Sequence, residues 1–321
     1  MQKSIYLVPD DYMADPSAHI FNGRIYVYPS HDRESGIPEN DFGDHFDMED
    51  YHVLSMDFVG GDVTDHGPVL KVSDIHWAGR QLWDCDVAYR NRTYYMYFPL
   101  KDRNDIFRIG VATSNCPEGP FHPEPHPIPG SYSIDPAVFA DDGRHYMFFG
   151  GLWGGQLQRY RHNKALESAA YPLPHSPALC PKVVQLSENM LEFAEEPRDL
   201  IILDSNGRPL MQGDTERRFF EASWMHKYKG TYYFSYSTGD THRICYATGD
   251  NPYGPFTYRG VILTPVVGWT THHSIIKHRD KWYIFHHDCV PSGGRTWLRS
   301  LKAVEMEYNE DGSIRTIEGM E

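Results

Sequence analysis

Cysteine is sparse and irregularly placed. The five residues at positions 85, 116, 180, 245 and 289 include no CxxC pair. That argues against both a disulfide framework and a structural zinc site. No run of about 18 apolar residues occurs, so no segment reads as a membrane span. The N-terminal stretch MQKSIYLVPDDYMADPS lacks the apolar core of an export signal. The sequence therefore reads as cytoplasmic, with an exported form whose signal has been removed as the alternative. Positive charge is also short: 30 Lys and Arg face 44 Asp and Glu, for a formal net charge of −14. A nucleic-acid partner would call for a basic stripe, and there is none. Neutral ligands such as sugars remain compatible with an acidic surface. Helical periodicity is nearly missing, with about two turns conceivable at 163–170.

What is abundant is aromatic and turn-forming. Aromatic residues make up 14% of the 321, with 22 Tyr, alongside 27 Gly and 23 Pro. Flat rings suit pleated, half-buried strands, and Gly and Pro mark frequent turns. A repeat organises them. DPSAHIFNGRIYVY, DCDVAYRNRTYYMYF, DPAVFADDGRHYMFF, EASWMHKYKGTYYFSY and HHSIIKHRDKWYIFHH begin at Asp15, Asp84, Asp135, Glu221 and His272. In each, the first residue precedes a tyrosine by eleven positions: Tyr26, Tyr95, Tyr146, Tyr232 and Tyr283. Alternating strands around Asn22-Gly23, Asp142-Gly143 or Lys229-Gly230 read as hairpins. A further repeat, ATxxxPxGPF, recurs at 112–121 and 247–256. Blades of four strands need about 40–50 residues, so the longer intervals imply insertions, placed at 36–50 and 152–215. Five units of this kind predict one all-β domain over 1–321, a five-bladed β-propeller.

The inner strand of each blade lines a propeller's channel, so the five leading residues should meet near one mouth. Four of them are carboxylates. Asp before Pro has a turn explanation, which accounts for neither the shared offset nor the change to Glu at the fourth unit. Converging carboxylates repel one another, a cost that marks functional sites.

These residues resemble family 43 of the glycoside hydrolases. The likeness spans nearly the whole chain, through ADPSAHIFNGRIYVYPSHD (14–32), YHVLSMDFVGGDVTDHGPVL (51–70), LWDCDVAYRNRTYYMYF (82–98), SIDPAVFADDG (133–143), FFEASWMHKYKGTYYFSYS (219–237) and THHSIIKHRDKWYIFHHD (271–288). It implies inverting cleavage of arabinose- or xylose-containing glycans. It implies Asp15 as general base, Asp135 as modulator of the acid's pKa and Glu221 as general acid. His272 resembles the axial histidine near a calcium or water site, so a structural calcium in the channel is an expectation, while no cofactor is required for the chemistry. Arg299 resembles the substrate-binding arginine, with Arg295 as competitor. Trp83 resembles the sugar platform, although Asp84-Cys85 replaces the Ala-Pro that usually follows. Trp153, in GGLWGG, is a second stacking candidate. Trp83 could equally be a core filler, and His272 a hydrogen-bonded channel residue. The acidic run 39–50 reads as a solvated loop, a pocket lid being the lesser alternative.

Of the readings this permits, an exo-acting β-xylosidase or α-L-arabinofuranosidase leads. An endo-arabinanase and a non-catalytic carbohydrate-binding propeller are the alternatives. The expected partner is an oligosaccharide or polysaccharide.

Overall fold

The structure, a computed structural model, describes residues 4–269 and 272–320. Five mainly antiparallel sheets carry almost all of the regular structure, and the described residues contain no α-helix. Each repeat is the inner hairpin of one blade. The hairpins are Met13–Phe21 with Arg24–His31, Asp86–Arg90 with Thr93–Asp102, Ala137–Asp141 with Arg144–Phe149, Glu221–Tyr228 with Thr231–Ser237, and His273–His278 with Lys281–Asp288. Turn chemistry fixes their register. Asn22 and Gly23 have φ of 51° and 80°, and Asp142 and Gly143 have 47° and 76°. Two successive positive φ values match the right-handed twist of the strands they join.

Most outer strands follow in chain order, but blade 4 takes its outermost strand, Ile202–Leu203, from before its hairpin and pairs it parallel to Phe256–Leu263; the innermost strands touch one another around a closed ring. Blade 5 is completed from the other end of the chain: Ile5–Tyr6 pairs with Ser300–Met306 as its outermost strand. Alternation along the central strands sends Tyr28, Tyr97, Phe148, Phe234 and Phe285 into the packing between blades, all fully buried. Apolar surface on both faces of every sheet is thereby removed from water.

The second repeat is real: both ATxxxPxGPF copies carry their Gly-Pro bond in the cis form, at Gly119-Pro120 and Gly254-Pro255. Residues 163–170 form no helix. Lys164–Ala165 pairs with Tyr160–Arg161 in a minimal hairpin. The segment 36–50 and residues 152–155 reach the same mouth of the channel, but the rest of 152–215 is not all insertion: Lys182–Gln185 and Arg198–Asp199 are outer strands of blade 3, and Ile202–Leu203 edges blade 4.

Candidate active site

Local backbone kinks aim the leading residues into the mouth. Asp15 (φ 50°), Asp135 (φ 59°) and Ala222 (φ 62°) adopt the left-handed region. The ladders of blades 1 and 4 shift register between Ala14 and Ser17 and between Glu221 and Trp224. Such irregularities re-aim a side chain where regular pleating would point it at a neighbour. Asp15, Asp84, Asp135, Glu221 and His272 consequently line one pocket with Arg299. Together with the solvent space at its open mouth it encloses about 860 Å³ free of protein atoms.

Asp15 is gripped from three sides. Its Oδ1 accepts a hydrogen bond from Arg299 Nη1 (2.8 Å), its Oδ2 accepts one from Ser30 Oγ (2.5 Å), and its backbone N–H donates to His287 Nδ1 (3.1 Å). Burial opposes ionisation, but Arg299, His287, His272 and the serine hydroxyl outweigh it and hold the carboxyl at about 2. Arg299 is itself fixed by Asp32. Its Nε and backbone N–H donate to Asp32 Oδ2 (2.8 Å each), and its Nη2 donates to Asp32 Oδ1 (2.7 Å). This planar two-point grip sets the guanidinium's orientation. Arg295, the competitor, is surface-exposed and faces Glu34 at 3.6 Å. Of the two arginines, the structure brings Arg299 into the pocket.

Glu221 has the opposite environment. It is buried, and no hydrogen bond or ion pair holds its carboxyl among the described residues. Burial first, then repulsion from Asp135 and Asp15, push its pKa well above the usual carboxyl range. Asp135 lies beside it in the chain fold: its Oδ2 accepts the Ala222 N–H at 2.6 Å. One carboxyl kept ionised and another kept protonated across one pocket is the division of labour that acid–base cleavage requires.

Asp84, which sequence reasoning placed in the ring without a role, also reaches the pocket. His272 Nε2 stands 3.5 Å from Asp84 Oδ2 and 3.3 Å from Asp135 Oδ2. Burial, then Asp135, raise the Asp84 pKa well above its ordinary value. Burial works against a charged His272, yet Asp135 and Asp15 raise its pKa on balance. Donor atoms of Asp84, Asp135 and His272 lie within 4.8 Å of one another, and His272 Nε2 is buried without an aligned hydrogen bond. These residues fit a cation. Calcium prefers six to eight oxygens, so water would complete its shell.

The walls are aromatic. Trp83 is half-buried and lines the pocket. Its Nε1 donates to the Phe46 carbonyl at 2.8 Å, and its carbonyl accepts the Tyr51 hydroxyl. Across from it, Trp153 meets Phe220 (5.3 Å between rings) and Trp269 (5.4 Å). Phe46, Phe220 and Trp269 escaped sequence reasoning, although Phe220 directly precedes Glu221. The run 39–50 is not a solvated loop. Glu39, Asn40, Asp41, Gly43, His45, Phe46 and Met48 line the pocket, the last three with buried side chains. The two insertions also meet: a Cβ on Gly154 would stand 2.6 Å from the Phe42 carbonyl oxygen. The channel mouth is therefore walled on that side.

Comparison with known proteins agrees with this geometry. The family model described as glycosyl hydrolases family 43 matches residues 61–314. That span holds Asp135 and Glu221 but not Asp15. A "Xylosidase/arabinosidase" from Bacteroides ovatus is 70% identical over 316 residues, covering 98% of this chain and 97% of its own. Among solved structures, the RS223 β-xylosidase superposes with a TM-score of 0.98 at 73% identity, covering 99% of both chains. A β-xylosidase/α-arabinofuranosidase from a compost microbial metagenome, solved with xylotriose in a calcium-free form, gives 0.97 at 58% identity, again over 99% of both.

Proposed function

The chain belongs to family 43 of the glycosyl hydrolases, and from that membership we propose that it is an inverting, exo-acting enzyme releasing xylose or L-arabinose from pentose-containing glycans. The observation that carries this reading is the pairing of an ionised Asp15 with a protonated Glu221 in a pocket walled by segments 39–48 and 152–155. A walled pocket accepts a chain end, whereas an endo-acting enzyme needs an open groove. The relatives named for xylosidase and arabinosidase activity support the pentose assignment.

In this reading the terminal sugar lies between Trp83 and the Trp153–Phe220–Trp269 face, its C–H surface against rings. Asp15 takes a proton from a water molecule, and Arg299 keeps that carboxylate ionised and oriented. Glu221 gives its proton to the leaving oxygen. Asp135 holds that proton on Glu221 until the bond breaks, by raising the energy of the ionised form. His272 and Asp84 face the sugar from the channel floor. A cation held by Asp84, Asp135 and His272 would supply positive charge that screens the repulsion between the two carboxylates.

The test is a substrate panel. Aryl β-xyloside and aryl α-L-arabinofuranoside should release nitrophenol, and xylotriose should be shortened one unit at a time. Internal cleavage of debranched arabinan, with no action on either aryl glycoside, would replace this reading with an endo-arabinanase.

A further inference from the structure

We propose that His31, Asp50 and His52 form a second cation site, for a zinc-like divalent transition metal, at the neck of the segment that walls the pocket. His31 ends the strand Arg24–His31, and Asp50 and His52 open the next strand, Asp50–Met56. The segment 32–49 runs between them and carries Asp32, Phe46 and Met48 to the active site. Donor atoms of the three residues lie within 4.8 Å of one another, and their rings and carboxylate are packed together: His31 Nδ1 is 2.7 Å from Asp50 Oδ1, and the two imidazoles are 4.4 Å apart between centroids.

Two features separate this cluster from an ordinary hydrogen-bonded patch. First, each histidine has its own carboxylate on its other nitrogen. His52 Nδ1 lies 3.0 Å from both oxygens of Asp65, and His31 Nε2 lies 3.5 Å from Asp11 Oδ1. A carboxylate behind an imidazole fixes its tautomer and orients the opposite nitrogen as a metal ligand. Second, His52 is buried, with 7% of its surface exposed, and its Nε2 has no hydrogen-bond partner among the described residues. With Nδ1–H directed at Asp65, Nε2 presents an unused lone pair, a costly arrangement unless something accepts it. Two imidazoles and one carboxylate select a borderline cation such as Zn²⁺ over Ca²⁺. His31 and Asp50 remain partly exposed, so the ion has a path in. Bound there, it would tie the two ends of 32–49 together and restrict that segment.

The channel cluster is silenced with His272→Ala, so that one site is read at a time. The purified full-length variant, stripped with EDTA, is titrated with Zn²⁺ and with Ca²⁺ by calorimetry. One equivalent of Zn²⁺ should bind, at least tenfold more tightly than Ca²⁺. Adding His52→Ala, or the milder His31→Asn at the more exposed ligand, should weaken Zn²⁺ at least tenfold. Hydrogen exchange across 33–49 should slow on adding Zn²⁺ to His272→Ala and not when His31→Asn is also present. No Zn²⁺ bound by His272→Ala, or an equivalent that survives both histidine changes, would overturn the site and leave the family assignment untouched.

Discussion

Glu221 holds its proton because burial and two neighbouring carboxylates make the charged form costly. Removing that proton donor should cost the full general-acid contribution, about 10²–10⁴-fold. Glu221→Gln is therefore expected to lose that much turnover on alkyl xylosides and far less on aryl glycosides whose leaving groups need little protonation. Equal losses on both would mean that another group is the acid. The same substitution removes a buried acid whose folded pKa is raised. Such a group stabilises the fold fully only below its unfolded pKa and loses that contribution as pH rises through the folded value. At neutral pH the glutamine variant should thus melt higher, by roughly 0.5–2 kcal/mol of added stability, measurable by calorimetry. Asp135→Asn relieves repulsion while leaving an oxygen for the Ala222 N–H. Glu221 then ionises more easily, and the alkaline limb of kcat/KM should move to lower pH. An unmoved limb would remove Asp135 from its modulating role. The carboxylates were legible because they recur at a fixed offset from a tyrosine. Asp32 was not: it closes the YPSHD motif, but nothing local shows that it grips an arginine 267 residues away.

The run 39–50 shows how an element can mislead when read by charge alone. Its acidic residues suggested solvent, yet Phe46 and Met48 turn inward, and Gln81 Nε2 donates to the carbonyls of Gly43 (2.8 Å) and Phe46 (3.1 Å). The apolar pair within the run was the usable signal. Gly43 is the tight point of this element. Its φ is +69°, and a Cβ there would lie 2.7 Å from Trp83 Cη2. Gly43→Ala must push the indole from the wall in addition to straining the turn. The expected result is a KM several-fold higher on aryl β-xyloside with a smaller change in kcat, together with about 1–3 kcal/mol of lost stability. A normal KM in a correctly folded variant would show that Trp83 does not position the sugar. Short hairpins were easier to read than such insertions because their turn residues announce themselves, as Asn22-Gly23 does. The stretch 163–170 was ambiguous because its turn, His162-Asn163 with φ of 49° and 60°, has no glycine and joins strands of only two residues each.

At the scale of the whole molecule, the ring decides the stereochemistry. Inner strands contact their neighbours in the order of blades 1 to 5 and back to 1. Asp15 stands on blade 1 and Glu221 on blade 4, so the fifth blade, with His272, separates them on one side and two blades separate them on the other. A retaining mechanism needs its carboxyl groups about 5–5.5 Å apart so that one can attack the sugar carbon, whereas an inverting one leaves about 6.5–9.5 Å for a water molecule. Carboxylates on non-adjacent blades across an open pocket suit the larger gap. Asp15 is moreover held on both oxygens, by Arg299 and Ser30, which fixes it against the approach that covalent attack on the sugar would need. Asp135 is nearer to Glu221, but its Oδ2 is occupied by the Ala222 N–H. Hydrolysis should therefore proceed by a single displacement with no glycosyl-enzyme. Proton NMR during early cleavage of an aryl β-xyloside should show α-xylose before mutarotation, and an aryl α-L-arabinofuranoside should give the β-anomer first. Asp15→Ala should lose nearly all turnover on both substrates. First release of the substrate's own anomer would show that a carboxylate, rather than water, reaches the anomeric carbon, and the assignment of Asp15 as base would fall with it.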